Sequence, residues 1–187
     1  MDILERKDLR GANFQGADLR GADLQEANLE KANFIKSNLR GANLKGADLF
    51  EADLKEVHLE AASLIWADLR WANLKAASLE RAHLEGANFQ GANLERANLK
   101  EASLEGSNLT EANFEGANLE GAIFKGANLE GANLEGANLE EAFLGEAYGL
   151  SLDQLSKVKT LRNTELDEEL LILLKEKYPI LFEVPDE

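Results

Sequence analysis

Ala127-Asn128-Leu129-Glu130-Gly131-Ala132-Asn133-Leu134-Glu135-Gly136-Ala137-Asn138-Leu139 states one rule three times: Ala, then Asn, then Leu, then two further residues. The rule runs unbroken from Leu9 to Leu144. Steps of five meet 28 positions there, 23 of them Leu and five Phe (Phe14, Phe34, Phe89, Phe114 and Phe124). Two residues earlier stands Ala, except at Lys7, Ser37, Val57 and Ser107. The residue between is Asn or Asp in all but seven units.

A period of five fits neither the 3.6 of a helix nor the 2 of a strand. Short repeats of this kind build solenoids. Ala and Leu lie two apart, so in an extended segment both point inward and the Asn or Asp between them points out. The last two residues of each unit must turn a corner. Gly holds the final position in 13 of the 28 units, which suits a turn with positive φ. Asn and Asp side chains brace such corners by bonding nearby backbone groups.

The seven exceptions to Asn or Asp indicate the length of a lap. Ser63, His83, Ser103, Ile123 and Phe143 follow one another at intervals of 20, and His58 and Ser78 are also 20 apart. Four units per lap put five exceptions in one column, two in a second and none in the others; three or five units scatter them. The spacing therefore predicts an all-β solenoid with a square lap of 20 residues and about seven coils. Stacked at ~4.8 Å, these form a rod roughly 34 Å long.

Runs such as Ala17-Asp18-Leu19-Arg20-Gly21 and Ala127-Asn128-Leu129-Glu130-Gly131 resemble the pentapeptide repeat family, with its A(D/N)LXX consensus, over about residues 8–148. The resemblance implies a right-handed quadrilateral β-helix, and the handedness rests on it alone. Some members of the family mimic DNA, bind gyrase and give quinolone resistance. Many others, abundant in cyanobacteria, have no known biochemical role. The loops that often interrupt the coil in gyrase-binding members are missing from this repeat.

The chain divides into an N-terminal edge (1–8), the repeat (9–149) and a C-terminal helical cap (150–187). At the edge the register begins at Leu4, and the charges of Glu5, Arg6 and Lys7 are expected to blunt unpaired backbone groups. The alternative for that edge is end-to-end stacking into a homodimer. In the tail, Ser151-Leu152-Asp153-Gln154 is a capping-box signature. A second helix is expected near Asp167-Glu168-Glu169 and should stop before Pro179. The apolar Ile123 and Phe143 face outward, so the tail is expected to fold over the last lap and cover Phe143.

Two surface regions are candidates for function. From Glu51 to Arg81 seven consecutive corners lack Gly, which predicts a change of turn type. The belt at residues 47–84 carries Trp66 and Trp71 outward with Phe50 and Ile65 beside them, an exposed aromatic and apolar cluster of the kind that marks a protein contact. The second region is acidic. The net charge of −15 divides as −2 for residues 1–84, −9 for 85–149 and −4 for 150–187. Glu95, Glu115 and Glu135 share one column, with Glu120 and Glu140 beside them. Nine charges over ~16 Å of rod compare with about nine on DNA of that length, at one per ~1.7 Å. A DNA-mimic reading follows from that comparison; a solvated, soluble face is the plainer one.

The acidic balance argues against direct nucleic-acid binding by phosphate neutralisation. His58 and His83 sit on adjacent faces and do not converge, so they read as turn-bracing substitutes for Asn. No nucleophile–base pair, metal spacing or cofactor motif is present, and the absence of Cys excludes disulfides and thiolate metal sites. No apolar run is long enough to cross a membrane. The first residues lack a leader's apolar core, so a cytoplasmic location is expected. The sequence thus points to a scaffold for an unknown protein partner, with an acidic decoy for a DNA-processing enzyme such as gyrase as the alternative.

Overall fold

The computed structural model describes residues 7–183. The expectations for Leu4, Glu5 and Arg6 fall outside them. Each residue at the Asn/Asp position pairs in parallel with the residue 20 further on, from Asp8–Asn28 to Asn128–Tyr148. One lap is therefore four five-residue units. The four walls run through Asp8, Asn28 and Asp48 (first), Asn13, Asn33 and Asp53 (second), Asp18, Asn38 and His58 (third), and Asp23, Asn43 and Ser63 (fourth).

The hydrogen bonds explain why the unit has five residues. The Leu N–H donates to the lap above, as from Leu69 to Asn88 O at 2.7 Å, and so does the corner N–H, as from Trp71 to Gln90 O at 3.0 Å. The Asn/Asp N–H donates to the lap below, as from Asp68 to Ala47 O at 2.9 Å. The Ala N–H closes the corner, as from Ala72 to Leu69 O at 3.1 Å. The fifth N–H, after Leu, is met by the side chain. All 21 Asn and Asp residues of the repeat accept from the N–H two residues on, at 3.0–3.4 Å. Asn has a donor to spare, which reaches the lap below, as from Asn118 to Asn98 Oδ1 at 3.1 Å and from Asn138 to Asn118 Oδ1 at 3.0 Å.

Inside the square, Leu, Phe and Ala from Leu24 to Ala147 form one buried column. Ser37 and Ser107 replace Ala at no polar cost, because their hydroxyls donate to Phe34 O and Leu104 O at 2.8 and 2.7 Å. In the first lap Leu9, Phe14 and Leu19 are only half-buried, with Phe14 stacked on Phe34 at 4.9 Å.

The corners correct one expectation. Those of the Gly-poor belt do not change type: Glu51, Glu56, Ala61, Trp66, Trp71, Ala76 and Arg81 all have φ between 54° and 59°. Corners with Gly, such as Gly41 at 63°, adopt the same left-handed turn. The ladder bonds on either side dictate the turn whatever residue occupies it. A side chain there costs about 1–2 kcal/mol.

The tail extends the ladder past Gly149 with two residues added to the lap. Asn138 pairs with Thr160 and Phe143 with Glu165. Asn163 takes a left-handed corner at φ 56°. On the second wall stands helix α1 (Leu152–Ser156), which begins with the Ser151/Gln154 capping box. The Gln154 amide donates to Leu129 O and Ala132 O, both at 2.9 Å. Helix α2 (Glu168–Lys177) and a 3-10 turn (Pro179–Phe182) return the chain to Leu161, whose N–H donates to Leu181 O. Leu155, Leu161, Leu174 and Leu181 are buried there. Phe143 is not covered and remains 42% exposed. The tail runs over the end of the fourth wall through Glu165, and its helices pack elsewhere.

Ala61 and Ala76 are exposed, so replacing either loses no burial. Ala76→Gly removes about 1–2 kcal/mol of left-handed strain and concedes about 0.4–1 kcal/mol through the freer unfolded chain. The expected net gain is about 0.5–1 kcal/mol, read as a higher urea midpoint, and the same for Ala61→Gly.

Candidate functional site

The aromatic belt is built on the corners of one lap. Trp66 and Trp71 occupy consecutive corners, flanking the first wall between them, and are 68% and 54% exposed. Each ring lies flat on the rod. A Cβ on Gly86 would stand 2.4 Å from the Trp66 ring, and one on Gly91 would stand 2.4 Å from the Trp71 ring. Each tryptophan thus covers the glycine one lap above and turns its other face to solvent. The corners of a square point about a right angle apart, so the two outer faces diverge.

Between them, Arg70 holds Asp68 through Nε at 2.9 Å and Nη2 at 2.6 Å, and its guanidinium lies over the Phe50 ring, 5.3 Å from the centroid. Burial pushes the Asp68 carboxyl up, but the Arg70 hydrogen bonds outweigh it and hold the group below its ordinary value. Phe50 and Ile65 are half-buried. The structure gathers Phe50, Trp66 and Trp71 around the first wall. Ile65 lies around the corner, beside Trp66, on the fourth.

The acidic candidates spread over two walls, and most are paired. Glu95, Glu115 and Glu135 follow one another on the second wall, with Glu120 and Glu140 on the third. Glu95 bonds Lys75 at 2.7 Å, Glu120 bonds Lys100 at 2.8 Å, and Glu140 bonds Arg162. Among the described residues, Glu115 and Glu135 form no ion pair. Pairing across laps is general: Arg40–Glu60 and Arg81–Glu101 span the same 20 residues, at 2.8 and 2.7 Å. At Glu60 burial pushes the carboxyl up, yet Arg40, the residue's own N–H and the Ser78 hydroxyl together lower it to about 2.

His58 and His83 each turn Nδ1 toward the glutamate two residues on, Glu60 at 3.4 Å and Glu85 at 3.5 Å. They occupy the Asn position but leave the following N–H without that brace. Among the described residues no group of three or more metal-ligating side chains converges. No helix there is long and apolar enough to cross a membrane.

A family model described as "Pentapeptide repeats" matches in eight copies between residues 4 and 145. The chain belongs to the pentapeptide repeat family. HetL, a pentapeptide repeat protein involved in heterocyst differentiation regulation from the cyanobacterium Nostoc sp. strain PCC 7120, is 36% identical, over 85% of this chain and 78% of that one, with a TM-score of 0.39. The pentapeptide repeat protein Rfr23 from the cyanobacterium Cyanothece 51142 is 35% identical, over 62% of this chain and 64% of that one, at a TM-score of 0.40. Full-length QnrB1, a plasmid-mediated fluoroquinolone resistance protein, is 22% identical, over 88% of this chain and 86% of that one, with a TM-score of 0.53. That likeness speaks for the fold alone. Among curated proteins the comparison finds no match.

Sequence reasoning missed the seat of the tryptophans, though a signal was there. Gly is absent from both corner columns at Trp66 and Trp71 and returns one lap later, at Gly86 and Gly91. Gly86→Ala is expected to cost about 1–2 kcal/mol in backbone strain plus about 1–3 kcal/mol for displacing the Trp66 ring. In the cycle with Trp66→Ala the second part should vanish and the first remain, as read by chemical denaturation.

Proposed function

We propose that this pentapeptide repeat protein is a right-handed quadrilateral β-helix of about seven coils (residues 9–149), capped by C-terminal α-helices (150–187). It works as a non-enzymatic scaffold that binds another protein. The family and the 20-residue ladder support the architecture; the tail's bonds to the last lap support the cap. The observation that carries the binding reading is the pair of tryptophans, more than half exposed on consecutive corners and each fixed on a glycine. Their position is set by the ladder, so a partner meets aromatic surface that needs little ordering on binding. Tryptophan is enriched among the few residues that carry most of the binding energy of protein interfaces.

The contact patch is Phe50, Ile65, Trp66 and Trp71. The diverging ring faces favour a partner that reaches around a corner of the rod over one that lies flat on a wall. The regulatory role stated for HetL fits a protein that acts by binding. The reading requires no cofactor, no direct nucleic-acid contact and no membrane, and it places the protein in the cytoplasm. The half-buried first lap, with Leu9, Phe14 and Leu19, favours a homodimer through that end of the rod.

The second reading, an acidic mimic of DNA that binds a DNA-processing enzyme such as gyrase, draws on Glu95, Glu115, Glu120, Glu135 and Glu140. The ion pairs on Glu95, Glu120 and Glu140 weaken it, because a mimic must present uncompensated charge. The Trp66→Ala/Trp71→Ala protein should lose its partners in a cross-linked pull-down while keeping its thermal midpoint. The intact protein at micromolar concentration should leave gyrase supercoiling untouched. Unchanged partners would remove the patch, and inhibited supercoiling would favour the mimic.

A further inference from the structure

Near the C-terminal end of the fourth wall, three departures from the repeat meet in one place. Ile123 and Phe143 stand on successive laps where Asn or Asp is the rule. Beside Phe143 the position after Leu is Gly145, in a column that otherwise carries Gln25, Lys45, Ile65, Glu85, Glu105 and Lys125. Neither of the usual reasons for glycine holds there. Gly145 lies outside the left-handed region that the corner glycines occupy, and an added Cβ would meet nothing within 4 Å. Its effect is to leave a gap. The gap is a pocket of about 360 Å³ lined by Ile123, Lys125, Phe143, Gly145, Glu146, Glu165 and Asp167.

The floor is apolar and the rim acidic. Lys125 is occupied by Glu146 at 3.3 Å. Glu165 pairs with Phe143 through the backbone ladder and, among the described residues, forms no ion pair. Asp167 accepts the Glu146 N–H at 3.4 Å and makes no cap bond to its own helix. One lysine thus faces three carboxylates around an exposed aromatic ring.

We propose that this pocket receives an arginine side chain of a partner polypeptide, its aliphatic stem on Ile123 and Phe143 and its guanidinium at Glu165 and Asp167. A compact ammonium can sit over a ring, as Lys175 does over Phe182 at 5.6 Å, but it acts as a point charge and cannot stack or meet a carboxylate in two parallel bonds. A planar guanidinium stacks on an aromatic face and meets a carboxylate through two parallel bonds. The rod already uses this arrangement within itself, where Arg70 lies over Phe50 while bonding Asp68. At the pocket the ring and the carboxylates are in place and the arginine must come from outside. The site stands on its own observations and does not rest on the tryptophan patch, four laps away on the same corner column.

The test is a titration of the full-length, ¹⁵N-labelled protein with the peptide acetyl-Gly-Gly-Arg-Gly-Gly-amide. Versions carrying citrulline, lysine or norleucine in place of the arginine serve as comparisons. The arginine peptide should give saturable shifts at the amides of Phe143, Gly145 and Glu165. The citrulline and norleucine peptides should bind at least about tenfold more weakly, and the lysine peptide measurably more weakly. Gly145→Leu, which fills the gap where the backbone permits a side chain, should abolish the response without moving the thermal midpoint. Glu165→Gln should weaken it, and Glu135→Gln should not. The proposal is overturned if the arginine peptide does not saturate, if citrulline or lysine binds as well, or if shifts spread equally to Glu115 and Glu135. Survival of the response in Gly145→Leu also overturns it. So does self-association of the intact protein that Gly145→Leu removes, which would make the occupant a second copy.

Discussion

Almost every backbone bond of this rod leaves its own unit. In a regular five-residue segment three N–H groups donate to the lap above or below and one closes the corner; in the 21 units with Asn or Asp the last is met by that side chain. A buried backbone group without a partner costs as much as a lost hydrogen bond. A single lap therefore has no stable form, and the structure gains its bonds only by stacking. The sequence rule follows from this accounting. Ala and Leu fill the space enclosed by four walls, and the residue between them is most often Asn or Asp, whose oxygen reaches the fifth N–H; where His58, Ile123 or Phe143 stands instead, the ladder continues without that bond.

The same constraint explains why the corners ignore composition. Trp71 at φ 59° and Gly91 at 66° make the same turn, because the bonds on either side fix where the chain enters and leaves. Strain at one corner is borne by many neighbours, so a large side chain can be placed wherever the lap above leaves room. At Trp66 and Trp71 that room is a glycine. On the fourth wall the departure is of another kind: Gly145, two residues after Phe143 on the same lap, leaves a gap that no side chain fills. The rod is thus a rigid grid on which local departures become surface features without deforming the core.

Much of this was legible in the sequence. The lap of 20 residues could be read from Ser63, His83, Ser103, Ile123 and Phe143, because a column that tolerates exceptions repeats at the lap length. The turn at Ala61 or Trp66 is not legible from composition, because positive φ there needs no glycine: the ladder imposes it. The continuation of the ladder to Thr160 and Glu165 was missed for two reasons. The lap there is two residues longer, and Lys159 and Thr164 stand where Ala is expected. Leu161 and Leu166, five apart, were the remaining trace of the register. The cover expected for Phe143 failed because an outward apolar residue can line an open pocket as well as a closed seam. Which exposed side chains meet a partner is not written in the period at all, since the period specifies only what faces inward.

Native-state hydrogen exchange tests the accounting most directly. Amides two residues after Asn or Asp, such as those of Ile35, Phe50, Arg70 and Gln90, should be protected along with the ladder amides. Those of Ile65, Glu105 and Lys125, which follow Ser63, Ser103 and Ile123, should exchange faster than their neighbours on the same wall by at least about tenfold, the equivalent of the ~1–1.5 kcal/mol that one such bond contributes. Equal protection at both sets, or protection that does not repeat every five residues, would contradict it.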